Sequence, residues 1–357
     1  MSKILYVAST IGHITDFHLP YIEKLKEKHD VFTMAKSSES VKADFDVPFE
    51  KKMFSKTNFK NKKIIREILE SEKFDVVILN TALAGFWVRY AMKGMKNRPK
   101  VINIVHGYLF DKKSSFMRKF VFSLAEKFLR KQTDNIITMN AEDFVYACSH
   151  KLCLKSVTNI RGMGINSKRI LEKKDLDKDR INLCFIGELS GRKNQEFLIH
   201  AVKKLKDEGI CVHLNLVGTG DKRREYEELS VKLGIDNQIH LVGYTRNIEQ
   251  FLAKTNFYVS ASKIEGLPFN IMEAMLCKQV IITADAKGCV DLIKDGQNGL
   301  VYKLNDIDDF VKKFKQVYYD SKLQAKLAKN AEESAKDYLL ESVFDENINL
   351  INELIGE

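Results

Sequence analysis

The strongest constraint in this sequence is an alternation that runs through it twice. In the first half, short apolar runs at residues 4–8, 31–34, 76–79, 101–105 and 136–139 are separated by amphipathic stretches. The stretch 18–28 carries Leu19, Ile22 and Leu25 at helical spacing, and further helices are expected at 62–72 and 116–131. The second half repeats the scheme, with strands expected at 182–186, 212–217, 239–242, 257–260 and 280–283 and helices at 194–208, 223–233, 248–253, 269–277 and 307–315. Strands that are apolar on both faces are buried on both faces. Parallel strands also need a crossover connection, usually a helix, between them. The pattern therefore predicts two α/β domains, each a parallel sheet covered by helices on both sides.

Length agrees, since 357 residues exceed one ordinary core and suit two domains of roughly 150–200 residues each. Two glycines in Arg161-Gly162-Met163-Gly164 interrupt the pattern, so the hinge is expected around 162–166. This gives domains at 1–165 and 166–335. Helices are expected at 321–337 and 341–354, and the C-terminal segment 336–357 is expected to pack back on the first domain. The six cysteines (Cys148, Cys153, Cys184, Cys211, Cys277 and Cys289) show no Cys-x-x-Cys or Cys/His ligand spacing. They read as reduced residues of a cytoplasmic protein. The apolar run at the N-terminus is too short for a signal-peptide core, and no stretch approaches the roughly 20 apolar residues of a membrane span. The expectation is a protein that crosses no membrane.

Charge is distributed unevenly. Residues 1–165 hold 29 Lys and Arg against 17 Asp and Glu, a net +12, while the other 192 hold 29 against 31, a net −2. The excess lies in two tracts, one from Lys51 to Arg66 and one from Lys112 to Lys131. The second surrounds an amphipathic helix with Phe116, Met117, Phe120, Val121, Leu124 and Phe128. Two readings stand side by side. It is an ordinary helix with its apolar stripe in the core and its lysines in water, or a basic, apolar face suited to an anionic membrane leaflet.

The segment richest in chemistry is Glu265-Gly266-Leu267-Pro268-Phe269-Asn270-Ile271-Met272-Glu273-Ala274-Met275, which leaves the strand 257–260 and enters a helix. Gly266 permits close backbone approach, and Pro268 suits a helix start, where a missing N–H costs nothing. Helix-start N–H groups form an anion site that fits a pyrophosphate. Two carboxylates eight residues apart, one before the helix and one inside it, can hold hydroxyl groups at different parts of a ligand.

These residues resemble the E-x7-E signature of retaining glycosyltransferases of the GT-B fold, family four. Val280-Ile281-Ile282-Thr283-Ala284-Asp285 and Asp295-Gly296-Gln297-Asn298-Gly299-Leu300-Val301 are similar to that family's usual continuation, and Asp16-Phe17-His18-Leu19-Pro20-Tyr21 resembles its capsule and exopolysaccharide branch in bacteria. The resemblance covers nearly the whole chain and is strongest over residues 181–302. It implies two Rossmann-like domains with parallel sheets facing across a cleft. It also implies that the anomeric configuration is retained, with the donor's own phosphate oxygen helping to remove the acceptor proton.

Carried over residue by residue, the resemblance implies that Glu273 holds the ribose hydroxyls of a nucleotide, and that Glu265 and the amides from Gly266 through Leu267, Pro268 and Phe269 to Asn270 meet the donor. Lys193, in Gly187-Glu188-Leu189-Ser190-Gly191-Arg192-Lys193, matches the lysine that neutralises the leaving diphosphate. The position usually held by arginine is Glu188, and Arg192 is the candidate replacement. His106 in Val105-His106-Gly107 matches a histidine near the transferred sugar, and Gly12 a glycine facing the donor or acceptor. His13, Asp16 and His18 are acceptor-side candidates. Gly218 and Tyr244, which follow two second-domain strands, resemble loops around the nucleotide base, although ordinary βα turns would look alike.

Neither half has G-x-G-x-x-G after its first strand, which argues against a nicotinamide cofactor. No D-x-D or other metal cluster is evident, so no metal or cofactor is expected. The expected function is sugar transfer from a nucleotide-sugar, such as a UDP-sugar, to a glycan or polyprenyl-diphosphate-linked saccharide, by an enzyme of the cytoplasm or the inner membrane face. Two alternatives stand beside it. One is a nucleotide-sugar epimerase on a similar scaffold. The other is a nucleic-acid-binding protein, although the basic tracts lack an aromatic stacking pattern and no nucleic-acid partner is expected.

Overall fold

The computed structural model describes residues 1–166 and 180–356. The chain folds as two compact units, Met1–Gly164 with Val343–Glu357 and Ile165–Ser342. The first contains a seven-stranded parallel sheet of β1 (Lys3–Thr10), β2 (Asp30–Lys36), β3 (Phe45–Asp46), β4 (Val76–Leu79), β5 (Lys100–Val105), β6 (Asn135–Thr138) and β7 (Val157–Asn159), in the order β3-β2-β1-β4-β5-β6-β7. The second contains a six-stranded parallel sheet of β8 (Ile181–Ile186), β9 (Val212–Val217), β10 (Ile239–Gly243), β11 (Phe257–Ser260), β12 (Val280–Ala284) and β13 (Leu300–Tyr302), in the order β10-β9-β8-β11-β12-β13.

Each sheet has one place where the direction of winding reverses. In the first, the chain steps outward from β1 to β3 and returns to lay β4 on the other side of β1. In the second, it steps outward from β8 to β10 and returns to lay β11 beside β8. At such a point the loops leaving the two central strands diverge to opposite faces, which opens a crevice at their carboxyl ends. The loops after β1, β4, β8 and β11 are thereby marked as the places to look for ligand-binding groups.

Several elements differ from the sequence reading. A short helix, Ile11–Phe17, which was not expected, begins directly after β1. The helix expected at 62–72 starts earlier, as Lys56–Glu72, because Ser55 caps it by accepting from the Asn58 N–H at 3.1 Å. The helix Ala82–Ala91 is apolar on nearly every side, with Trp87, Val88 and Ala91 buried, and so shows no stripe to read. The helix Ala141–Ser149 and the strands β3, β7 and β13, the last three only two or three residues long, were also not expected.

Both ends of the chain build the first unit. In the last helix, Leu340–Ile355, Asn347 Nδ2 donates to Tyr21 Oη at 3.0 Å and to the Gly162 carbonyl at 2.9 Å. Tyr21 in turn donates to the Met163 carbonyl at 3.0 Å.

The helix Phe116–Leu129 turns Phe122, Ser123, Ala125, Glu126 and Leu129 inward. Arg89, only 1% exposed, makes a bidentate pair with Glu126, at 2.8 Å and 2.9 Å, and also reaches Thr133 Oγ1 at 3.2 Å. Apart from Phe122 and Leu129, the helix's large apolar side chains are exposed, so its stripe does not lie in the core as an ordinary domain helix requires. Removing one member of a buried pair strands the other. Arg89→Ala is therefore expected to lower the unfolding free energy of this unit by about 3–5 kcal/mol. Adding Glu126→Leu should restore part of that loss, and urea-unfolding midpoints of the two variants and the parent protein check both points.

Candidate active site

In the second unit the loops after β8, β9 and β10 are tied through their backbones. Gly187 N–H donates to the Val217 carbonyl at 2.9 Å, and Gly218 N–H donates to the Gly243 carbonyl at 2.9 Å. Gly218 has φ +141°, and a Cβ there would stand 2.1 Å from the Gly187 carbonyl oxygen, so no other residue fits. The loop after β11 enters the same edge. Lys263 N–H donates to the Arg192 carbonyl at 2.9 Å, and Glu265 N–H donates to the Lys287 carbonyl at 3.1 Å. Gly288 closes the other side, where a Cβ would approach the Gly266 carbonyl oxygen to 2.6 Å.

These contacts place the Glu265 carboxylate, 8% exposed, between two cations. Lys193 Nζ donates to Oε1 at 2.5 Å and Arg192 Nη1 to Oε2 at 3.0 Å, with Arg192 also reaching the Ile264 carbonyl at 3.1 Å. Burial works to raise the carboxyl pKa, but Lys193 and then Arg192 outweigh it and hold Glu265 below the ordinary glutamate value. The group is ionised at neutral pH, and the three side chains sum to one positive charge. An ammonium carries three donors, of which Glu265 takes one.

The helix that follows, Phe269–Leu276, starts after Pro268 with no side-chain cap. Asn270 Nδ2 fastens its first turn to β8 by donating to the Ile186 carbonyl at 2.5 Å. Glu273, one turn further on, is half-buried. Tyr258 Oη, which accepts from Ile186 N–H at 3.3 Å, is pushed well above its ordinary pKa by burial first, then by Cys184, Glu273 and Glu265. The fields of both glutamates reach this one buried hydroxyl. Leu267 and Pro268 are buried and fill the loop, Phe269 is half-buried, and Gly266 lies against Gly288. Tyr244 stands apart, 72% exposed, beyond the end of β10, and Glu188 is exposed.

In the first unit, His13, His18 and His106 come together from the helix Ile11–Phe17, the residue after it and the end of β5. His18 Nε2 and His106 Nε2 are 3.0 Å apart, and the His13 ring meets His106 edge-on at 4.7 Å between centroids. Burial pushes His13 down to about 4 and His18 and His106 well below the usual histidine value, with repulsion from the neighbouring rings adding to it for the latter two. The rings are therefore neutral at neutral pH. Among the described residues, His13 Nε2, His18 Nδ1, Tyr6 Oη and Asn80 Oδ1 are buried without a hydrogen-bond partner.

Buried polar atoms are nearly always satisfied, so four orphans around one strand edge are a place built for a polar ligand. One ring nitrogen from each histidine falls within 4.8 Å of the others, a grouping that could also hold a metal ion. Asp16 is exposed on its helix, and Gly12 has open space where a Cβ would be. Tyr6 and Asn80 were not anticipated from sequence. The available signal was Asn80, a polar residue directly after the all-apolar strand β4.

The sequence profile described as "Glycosyl transferases group 1" matches residues 166–334, the stretch that carries the whole Glu265 site. Residues 166–334 form a group 1 glycosyltransferase domain. The chain is similar to the putative glycosyltransferase EpsD of Bacillus subtilis, at 27% identity over 93% of this chain and 92% of that protein. It is also similar to the N,N'-diacetylbacillosaminyl-diphospho-undecaprenol alpha-1,3-N-acetylgalactosaminyltransferase of Campylobacter jejuni, at 25% identity over 97% of this chain and 96% of that protein. Among solved structures, Anabaena Alr3699/HepE in complex with UDP-glucose superposes with a TM-score of 0.76 at 16% identity, over 99% of this chain and 100% of the other, and shares its GT-B fold. These similarities give no support to an epimerase or a nucleic-acid-binding protein.

The neutral histidines make a pH prediction with a definite sign. A histidine whose folded pKa lies below its unfolded one leaves the unfolded state holding more protons, so stability falls with falling pH. For His13 the window runs from about pH 6.5 down to about 4. Melting temperatures of the protein should drop across that range, and His13→Asn should flatten the slope. An unchanged slope would remove His13 as its source.

Proposed function

We propose that this glycosyltransferase moves a sugar, with retention of anomeric configuration, from a UDP-sugar to a saccharide carried on a polyprenyl diphosphate, at the inner, anionic face of a membrane, in the building of a capsule or exopolysaccharide. The observation that carries the donor half is the Glu265–Lys193–Arg192 cluster beside the uncapped start of the helix Phe269–Leu276. A departing nucleoside diphosphate gathers negative charge, and fixed cations and amides aimed at that charge are often the main catalytic contribution. The acceptor half draws on the names of relatives. The Campylobacter protein is named for a diphospho-undecaprenol acceptor, and HepE has been crystallised with UDP-glucose.

In this reading Glu273 accepts hydrogen bonds from the ribose hydroxyls, and Glu265 orients the donor sugar while holding Lys193 and Arg192 toward the phosphates. Gly187, Gly218 and the segment Gly266–Asn270 let backbone approach the donor, and Tyr244 covers the base. The bond from the anomeric carbon to the diphosphate oxygen breaks, and the acceptor oxygen bonds to the same face. Its proton passes to an oxygen of the leaving diphosphate. His106 touches the transferred sugar, Gly12 faces the donor phosphates or the acceptor, and His13, Asp16 and His18 serve the acceptor. As neutral rings these histidines hydrogen-bond hydroxyls without adding charge. The reaction needs no metal, because Lys193 and Arg192 supply the charge that a metal supplies elsewhere.

Thermal-shift measurements test the donor half. UDP at about one hundred times its Kd should add about 2.7 kcal/mol to the stability of the state that binds it. Glu273→Ala should abolish the shift, and no response to any nucleotide would sink the proposal. Lys193→Ala should lower kcat by about 100- to 1000-fold. Proton NMR of the product should show the anomeric configuration of the donor, whereas an epimerised donor in the absence of acceptor would favour the epimerase. Activity should survive chelation by EDTA. Loss on chelation with recovery on adding zinc would instead assign a metal to His13, His18 and His106.

A further inference from the structure

We propose that the outward face of the helix Phe116–Leu129, extended by the aromatic edge of the helix Lys56–Glu72, is the surface by which this protein docks on an anionic lipid bilayer. Phe116, Met117, Phe120, Val121, Leu124 and Phe128 are 49–77% exposed and lie along one side of a single helix. A helix on a globular domain ordinarily turns such a stripe inward and its charges outward. Here the arrangement is inverted. Glu126, the only acid of the helix, is drawn under it by Arg89, and Ser123 and Ala125 share the half-buried side. The outer side of this helix therefore has large apolar groups and no negative charge.

The surface continues beyond the helix. Phe128 meets Tyr90 at 6.1 Å between ring centroids, Tyr90 meets Phe86 at 6.0 Å, and Phe86 meets Phe54 at 6.0 Å, which lies against Phe59 at 6.4 Å. Phe54 and Phe59 are 61% and 53% exposed. Two ammonium groups sit on this line of rings, Lys93 Nζ 3.3 Å from the Phe128 centroid and Lys62 Nζ 4.1 Å from the Tyr90 centroid. Thus the two basic tracts, some fifty residues apart in sequence, form one surface.

Exposed lysines and arginines border it in sequence, Lys51, Lys56 and Lys60 beside Phe54 and Phe59, and Lys127, Arg130 and Lys131 beside Phe128. A bare apolar patch of this kind marks an interaction site. These cations select the partner, because a cationic border around aromatic and aliphatic groups matches anionic headgroups over an acyl boundary. No helix among the described residues is long and apolar enough to cross a membrane, so this contact is with the surface of a bilayer.

The purpose of the surface rests on the reading of the acceptor as lipid-linked, but its existence does not. The test is co-sedimentation of the full chain with vesicles of phosphatidylcholine alone and with about one-third phosphatidylglycerol, over a range of salt, alongside the UDP thermal shift. Binding is expected only to the anionic vesicles and should weaken as salt rises. The double variant Phe120→Ser, Leu124→Ser should lower it at least tenfold. Each of Lys127→Gln and Lys131→Gln should lower it about fivefold, the usual contribution of one cation near such a surface. All variants should keep the UDP shift. Failure to bind anionic vesicles, or equal binding to neutral ones, would overturn the docking surface while leaving the donor site standing. Loss of the UDP response in the parent protein would overturn the donor reading alone. Light scattering that shows a dimer broken by Phe120→Ser, Leu124→Ser would assign the face to a second copy of the chain and overturn the proposal.

Discussion

A glutamate buried to 8% exposure cannot stay ionised alone, and meeting that need organises the second unit. Removing a carboxylate from water costs several kcal/mol, recovered only when opposite charges and hydrogen bonds surround it closely. Glu265 obtains them from Lys193 and Arg192, which lie on a loop more than seventy residues earlier in sequence. The loop after β8 and the loop after β11 must therefore lie against each other. The sheet order permits it, since β8 and β11 are neighbours at the point where the winding reverses. Gly218 and Gly288, which admit no side chain, leave room for the backbones to close around it. The carboxylate fixes the cations in turn, so that two positive side chains are ordered before any anion arrives. Groups positioned in advance need no reorganisation when charge develops, and this is the physical content of electrostatic catalysis.

The first unit solves the corresponding problem in the opposite way. At its winding reversal the polar groups are uncharged. Three imidazoles held neutral by burial gather with a tyrosine and an asparagine, and four of their polar atoms have no partner among the described residues. One unit keeps a surplus of one positive charge, and the other keeps neutral hydrogen-bonding capacity. That contrast follows the chemistry of the two substrates proposed for them. A diphosphate needs charge to hold it, whereas sugar hydroxyls need donors and acceptors that do not bind water or anions too tightly.

How far this was legible in the sequence depends on the range of the physics involved. The strands β4, β9 and β11 match the expected runs residue for residue: β4 is an uninterrupted apolar string buried on both faces, β11 is apolar up to Ser260, and in β9 the buried apolar residues alternate with His213 and Asn215. Glu265 could be named from its place between a strand and a helix, and Lys193 and Arg192 from the family resemblance of their loop. Their mutual contact could not be derived from the sequence, because it depends on which strands lie side by side. The helix Ala82–Ala91 escaped notice because its one charged residue, Arg89, is buried and leaves no polar face to set a period. Tyr6 and Asn80 escaped for a related reason. A lone tyrosine or asparagine in an apolar run looks like an ordinary core or turn residue until the structure shows its polar atom without a partner.

The helix Phe116–Leu129 shows most clearly where sequence periodicity stops. Its stripe and its charges read equally well as a core helix or a surface one, because a helical wheel fixes which residues share a side and not which way that side faces. The deciding residue lies outside the helix. Arg89, buried in its neighbour, requires a carboxylate, and Glu126 is the only one the helix has. Once that pair forms, the helix cannot roll its phenylalanines into the core without leaving an arginine in the interior unpaired. The rotation of the helix, and with it the exposure of six large apolar side chains, follows from one ion pair.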